Sequence, residues 1–88
     1  MNYEETRAKY VAAAKKHCDN WRENPSDHII DVIVSVMMTR DNVLSGGSFV
    51  QSVVDNDLHN AVSRADSDCI NHLKLIVLAK SQSYIDVN

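Results

Sequence analysis

The chain has 88 residues, of which 44% are hydrophobic and only two are glycine and one is proline, which fits one small globular domain over 1–88 and excludes wholesale disorder. So few turn residues exclude an all-β sandwich or barrel and predict an all-α bundle of about four to five helices, two of them short. The net charge of −3, divided as +2 over residues 1–22 and −5 over residues 23–88, argues against a dedicated nucleic-acid binder, which needs clustered Lys and Arg.

The first predicted helix covers residues 3–22. Its apolar side chains recur at helical spacing, which places them on one face of the helix. We expect this face to be buried, and it comprises Tyr3, Tyr10, Ala14, His17 or Cys18, and Trp21.

A second helix is predicted after Asn24-Pro25-Ser26-Asp27, with Asn24 as its N-cap and Pro25 as its first residue. Residues 28–39 are rich in Ile and Val, which favours a strand. Polar residues spaced by four form a single helical stripe and favour a helix instead; they are Asp27, Asp31, Ser35 and Thr39. A helix with so narrow a polar stripe must be buried on most sides. It is then either the central helix of the domain or half of a homodimer interface. The interface candidates are Ile29, Ile33, Val36 and Met37.

Shorter helices are predicted in the second half of the chain. Ser48 is expected to cap a helix that ends near Val54, and Asp57 is expected to cap one over 58–65. Asp66 or Ser67 is expected to cap the last helix, over residues 67–83. The predicted inward face of that helix comprises Ile70, Leu73, Ile76, Val77 and Tyr84.

Metal and catalytic patterns are weak, so we expect no metal site, no cofactor and no enzyme. Zinc sites need four converging ligands that usually arrive as two tight pairs, and the adjacent His17 and Cys18 do not form one. The aspartates between residues 55 and 68 lack the EF-hand spacing, because Asn60 stands where that loop needs glycine. No oxyanion loop accompanies a Cys–His pair.

A polar constellation follows the glycine pair Gly46-Gly47. Asp57 and Arg64 are seven residues apart, on one helical face, and arginine suits bidentate contacts with a carboxylate or phosphate. Two interpretations stay open: an internal network of caps and salt bridges, or a contact patch for a partner or small anion. The candidate binding residues are Ser48, Asn56, Asp57, Arg64 and Asp66.

Residues 47–66 carry a pattern of polar and apolar positions: Gly47-Ser48-Phe49-Val50, Val53-Val54, Asn56-Asp57-Leu58, Ala61 and Arg64-Ala65-Asp66. This pattern resembles one in small, uncharacterised proteins of phages and prophages, which runs Gly-Ser-Phe-Leu, Asn-Asp-Leu and Arg-Ala-Asp. The chain departs from that family at Cys69, where the family often has Asn. The resemblance covers about a quarter of the chain, and it implies a phage context without a known activity.

These features lead to one hypothesis and two alternatives. A small phage-type protein without catalytic spacing is expected to be a non-enzymatic binder, and a homodimer, that inhibits a host defence or regulatory protein by occupying its surface, as anti-CRISPR proteins do. The first alternative is an oligomeric sponge for a nucleotide-like signal, with Gly46-Gly47-Ser48 and Arg64 as anion contacts. The second is a weak DNA-binding regulator that uses its last helix. Without a signal peptide or a long apolar run, we expect a cytoplasmic location in the host cell and no membrane partner.

Overall fold

A computed structural model describes residues 3–82, and this part of the chain contains six α-helices and no strand. The helices are α1 (Tyr3–Asn20), α2 (Asp27–Arg40), α3 (Ser48–Val54), α4 (Leu58–Arg64), α5 (Ser67–Asn71) and α6 (Leu73–Gln82). The predicted all-α fold is confirmed, and residues 28–39 are helical. None of the helices in residues 3–82 has the length and apolar character needed to cross a membrane.

α2 is the central helix, because it packs against α1, α3 and α6. Its buried residues form most of the core, and they are Ile29, Ile33, Val34, Val36, Met37, Met38 and Thr39. The predicted polar stripe starts in solvent at Asp27 and Asp31 but ends inside the protein at Thr39. At the exposed edge, Arg7 of α1 donates a hydrogen bond to Asp31 at 2.8 Å.

The four residues predicted for a homodimer interface lie in the core of a single chain. Ile29, Ile33, Val36 and Met37 are each 0% exposed, because α1, α3 and α6 already cover α2. A second copy cannot contact these side chains in this structure. The interface interpretation is therefore wrong for these four residues, and the central-helix interpretation is correct.

α1, α2 and α3 end in the same type of backbone turn. Arg22, Asn42 and Asn56 follow the three helix ends in left-handed conformations, with φ of 55°, 61° and 60°. The next residue in each case donates its N–H to a carbonyl five residues earlier, as in a Schellman motif; the pairs are Glu23 to Cys18, Val43 to Met38 and Asp57 to Ser52. The interruption predicted at Asp55-Asn56-Asp57 is thus a Schellman turn, in which asparagine tolerates the left-handed backbone.

Aspartate side chains cap the two helices that follow α3. Asp57 Oδ1 accepts a hydrogen bond from the Asn60 N–H at 3.2 Å at the start of α4. Asp66 Oδ1 accepts one from the Cys69 N–H at 2.8 Å at the start of α5. The predicted caps at Asp57 and Asp66 are confirmed, and each satisfies a backbone donor that the helix leaves unpaired.

The two other predicted caps are wrong by one or two residues. Ser26 and not Asn24 precedes α2, and Gly47 and not Ser48 precedes α3. The reason is that the carbonyl oxygens of Ser26 and Gly47 accept the first helical hydrogen bonds. At neither helix start does the side chain of a capping residue accept a hydrogen bond from a backbone N–H of the first turn.

Gly46 lies where the loop before α3 passes close to α2. A Cβ at this position would lie 2.5 Å from Val50 Cγ1 and 2.7 Å from Thr39 Oγ1. Thr39 Oγ1 is buried and has no hydrogen-bond partner within the described chain. Any side chain at position 46 would therefore force the loop away from the core.

The buried face of α1 is shorter than predicted. Tyr10, Ala14, His17 and Cys18 are buried, and the His17 Nε2 atom forms a hydrogen bond with a backbone carbonyl of α6 at 2.9 Å. Tyr3 and Trp21, which were predicted to share this face, are 58% and 39% exposed. α1 ends at Asn20, so the Trp21 side chain leaves the helical register and lies 5.3 Å below the Lys74 ammonium group.

The predicted last helix is broken at His72 into α5 and α6. This break changes the helical phase, so Ile70 and Val77 do not point inward as predicted and are 42% and 36% exposed. The buried residues of α6 are Leu75, Ile76 and Ala79. Tyr84, the last residue of the predicted inward face, lies outside the described residues.

Candidate functional site

The five predicted binding residues all lie at or beside helix ends. Asn56 and Asp57 are adjacent in the α3–α4 turn, and Arg64 is the last residue of α4. Ser48 is the first residue of α3, and Asp66 precedes α5. The structure thus joins Asn56 with Asp57 directly and distributes the other three over separate helix ends.

Asp57 acts mainly as a helix cap. Its pKa is lowered, first because the Asn60 side-chain amide and backbone N–H donate hydrogen bonds to the carboxylate, and to a smaller extent by the charge of Arg64. No ion pair within residues 3–82 joins Arg64 to Asp57. This geometry favours the internal-cap interpretation for Asp57 and leaves the exposed Arg64 guanidinium facing solvent.

Asn56 connects the α3–α4 turn to α6. The Lys80 Nζ atom donates a hydrogen bond to Asn56 Oδ1 at 2.6 Å. Together with its left-handed φ of 60°, this contact gives Asn56 a structural role. It fixes the direction in which α4 leaves the core.

The anion contacts predicted around the glycine pair stay a prediction. Ser48 is exposed, and its backbone carbonyl accepts a hydrogen bond from the Ser52 hydroxyl at 2.8 Å. No hydrogen bond within residues 3–82 connects this segment with Arg64. The structure therefore does not preassemble these groups.

An exposed apolar surface lies on α4, directly after the α3–α4 turn that contains Asn56 and Asp57. Leu58 is 68% exposed, and Val62, one turn later on α4, is 45% exposed. Leu58 and Val77 of α6 line a shallow cavity of about 120 Å³ together with the buried Ala61. We call Leu58, Val62 and Val77 the α4 face.

The α4 face was missed from the sequence because its residues look like ordinary core residues. Leu58, Ala61, Val62 and Ala65 follow helical spacing, and such a stripe on a helix is normally buried. α4 packs mainly against α3, and Ala61 is its one buried residue. The sequence did contain one signal, which is the length of the helix. A helix of seven residues is too short to bury this whole apolar stripe against the rest of the protein.

The surroundings of the α4 face are acidic. Residues 48–72 contain four aspartates and a single basic residue, Arg64. Asp55 is exposed and Asp57 partly exposed where the chain enters α4, and Asp66 is exposed where it leaves. An apolar centre with a charged rim is the usual composition of a protein-binding surface.

Three potential metal ligands also meet, on different elements. His28 lies in the first turn of α2, Asp66 caps α5, and Cys69 lies within α5. Their ligand atoms all lie within 4.8 Å of one another, and His28 Nε2 is 3.1 Å from Asp66 Oδ2. Burial and the hydrogen bond to Asp66 raise the pKa of Cys69 to about 11, and hydrogen bonds from Cys69 and His28 lower the pKa of Asp66.

This trio was not predicted, because sequence spacing gave no sign that His28 approaches Asp66, which is 38 positions away. Cys69 was weighed from the sequence as a soft ligand, but not together with His28 and Asp66, and the adjacent His17 and Cys18 lie outside the trio. His17 bonds to a backbone carbonyl, and burial raises the pKa of the Cys18 thiol.

No protein-family model, curated protein or solved structure matches this chain. The resemblance of residues 47–66 to phage proteins therefore stays a prediction, and the functional conclusion depends on the geometry described above.

Proposed function

We propose that this chain is a non-enzymatic binding protein of the phage type that inhibits a host defence or regulatory protein by occupying its surface. The observation that supports this proposal is the α4 face, where Leu58 is 68% exposed and Val62 is 45% exposed. Contiguous exposed apolar side chains in a small protein are typical of interaction sites. A polar rim around them favours a protein partner.

The charge around the α4 face defines the partner further. Three aspartates, Asp55, Asp57 and Asp66, flank a helix whose basic residue is Arg64. A partner with a small apolar projection surrounded by Lys and Arg side chains would complement this surface. Such charge complementarity speeds association and sets specificity, and salt weakens it.

The homodimer stays a prediction, and its interface has to use residues other than Ile29, Ile33, Val36 and Met37. The nucleotide sponge and the weak DNA-binding regulator also stay predictions. A rise in melting temperature with a nucleotide, which follows from mass action, would favour the sponge. A salt-sensitive gel shift would favour the DNA-binding regulator.

The test is an affinity capture from lysate of a bacterial host, comparing the wild-type chain with two single variants. Leu58→Glu places a charge in the centre of the α4 face. Val43→Glu is the matched control, because Val43 is 41% exposed but lies in the loop between α2 and α3. We expect a protein that wild type and Val43→Glu retain and that Leu58→Glu loses.

Two further measurements complete the test. Circular dichroism checks that both variants fold, and a wash series at increasing salt checks the contribution of the acidic rim. The proposal is contradicted if wild type retains no host protein, or if Leu58→Glu retains the same protein as the control. A partner kept at high salt would contradict only the charge complementarity.

A further inference from the structure

We propose that His28, Asp66 and Cys69 form a binding site for Zn²⁺, with His28 Nε2, a carboxylate oxygen of Asp66 and Cys69 Sγ as ligands. This site shares Asp66 with the acidic rim of the α4 face, but the proposal does not rest on the proposed function. It joins the start of α2 to α5, a helix of five residues that packs mainly against α6.

The first argument is distance. Zinc bonds of about 2.0–2.3 Å place neighbouring ligand atoms of a tetrahedron roughly 3.3–3.8 Å apart. The three ligand atoms here lie within 4.8 Å of one another, and two of them, on His28 and Asp66, are already 3.1 Å apart. A movement of roughly 1 Å would close the site around the ion.

The second argument is the chemistry of the ligands. A thiolate, an imidazole and a carboxylate together favour zinc, whereas calcium and magnesium prefer sites made of oxygen atoms alone. The thiolate and the carboxylate would balance the two positive charges of the ion. Asp68, in the first turn of α5, adds a further negative charge beside the site.

The third argument is orientation and access. Asp66 Oδ1 accepts a hydrogen bond from the Cys69 N–H at 2.8 Å, which holds the other carboxylate oxygen, Oδ2, toward His28. Hydrogen bonds of this kind commonly orient the ligands of metal sites. The His28 and Asp66 side chains are 51% and 58% exposed, while Cys69 is buried. Zinc can therefore enter from solvent and keep a water molecule in its fourth position.

The experiment titrates untagged, reduced protein with Zn²⁺ alone, in competition with a chromophoric chelator. We expect one equivalent to bind and the melting temperature to rise, because the ion binds only the folded chain. His28→Gln is the decisive variant, since His28 is exposed and its loss leaves the core intact. We expect it to weaken zinc binding by more than the roughly 10–100-fold that loss of an outer-shell partner costs.

Matched controls separate the site from adventitious binding. His59→Gln removes an exposed imidazole outside the trio, and this variant should bind zinc like wild type. Substitution of Co²⁺ for zinc reports the thiolate, because a cobalt–thiolate bond gives a charge-transfer band in the near ultraviolet. That band should appear in wild type and should be lost in Cys69→Ser.

Several results would overturn the proposal. One is the absence of zinc binding to the wild-type chain, and another is equal affinity of wild type and His28→Gln. If His28→Gln and His59→Gln weaken zinc binding equally, zinc binds to surface histidines in general and not to this site. If Cys69→Ser does not fold, the His28→Gln titration and the wild-type cobalt spectrum still test whether the site exists. A wild-type cobalt spectrum without the thiolate band would count against the site.

Discussion

α2 and α4 both carry apolar side chains at helical spacing, but these side chains are mostly buried in α2 and mostly exposed in α4. α2 packs against α1, α3 and α6, and its large apolar side chains are fully buried. α4 packs mainly against α3, and two of its three largest apolar positions face outward. The difference shows that the position of a helix in the bundle decides whether its apolar side chains are buried in the core or exposed.

Polar contacts follow the same division. The end of α2 is held by residues far away in the sequence, because Tyr10 of α1 donates a hydrogen bond to Asp41 and Arg40 donates one to a carbonyl oxygen of α6. The start of α4 is held by the local cap between Asp57 and Asn60. Long-range polar contacts fix α2 in the fold, whereas α4 is held mainly through its neighbouring turn.

The largest effect should come from truncating a core residue of α2. Ile33→Ala removes buried methyl groups and leaves a cavity, so we expect a loss of about 2–5 kcal/mol in the free energy of unfolding. Ile33→Val, the matched control, should cost about 0.5–1.5 kcal/mol. Urea denaturation at two protein concentrations checks both values. A loss for Ile33→Ala no larger than that for Ile33→Val would contradict the burial of Ile33 in the core.

The second prediction concerns the contact that holds the end of α2. Tyr10→Phe removes the hydrogen bond to Asp41 Oδ2, which is 2.8 Å long, so we expect a loss of about 1.5 kcal/mol at neutral pH. Urea denaturation compares the variant with wild type. A variant as stable as wild type would show that α2 does not depend on this long-range contact.

The pH dependence of stability tests the same contact. Burial and the hydrogen bond to Asp41 raise the pKa of Tyr10 from 10.0 to about 12. The folded chain then holds this proton more tightly than the unfolded chain, so stability should fall as pH rises from about 10 to 12. Hydrogen bonds from Arg40 and Tyr10 lower the pKa of Asp41, which predicts a second loss in acid. Tyr10→Phe should reduce the alkaline loss and keep part of the acid loss. The alkaline loss that remains should come from Cys18 and Cys69, because burial raises the pKa of both thiols.

The sequence was sufficient for the all-α class and for α2 as a helix, and less so for which apolar side chains are buried. Polar residues spaced by four identified α2 as a helix, because periodicity reports which side of an element is buried. The caps at Asp57 and Asp66 were predictable from local chemistry alone. By contrast, the exposure of Leu58 and the approach of His28 to Asp66 depend on how distant helices pack, which local patterns do not contain.

The third prediction concerns the local cap of α4. Asp57→Ala removes the acceptor for the Asn60 N–H, and we expect a smaller fall in melting temperature than for Tyr10→Phe, because unfolding the first turn of α4 exposes little core. Asp57→Asn keeps a good cap and should restore most of the loss. Because the pKa of Asp57 is lowered, the cap should weaken in acid in wild type but not in Asp57→Asn. Thermal unfolding at neutral and acid pH measures both effects.

The smallest effect on stability should come from the centre of the α4 face. Leu58 is 68% exposed, so Leu58→Ala removes few contacts, and alanine favours a helix slightly more than leucine does. We therefore expect a change within about 0.5 kcal/mol in urea denaturation, measured beside Ile33→Ala. A loss as large as that of Ile33→Ala would show that Leu58 belongs to the core. A negligible loss together with failure to retain a partner would mean that Leu58 serves binding, since folding does not need it.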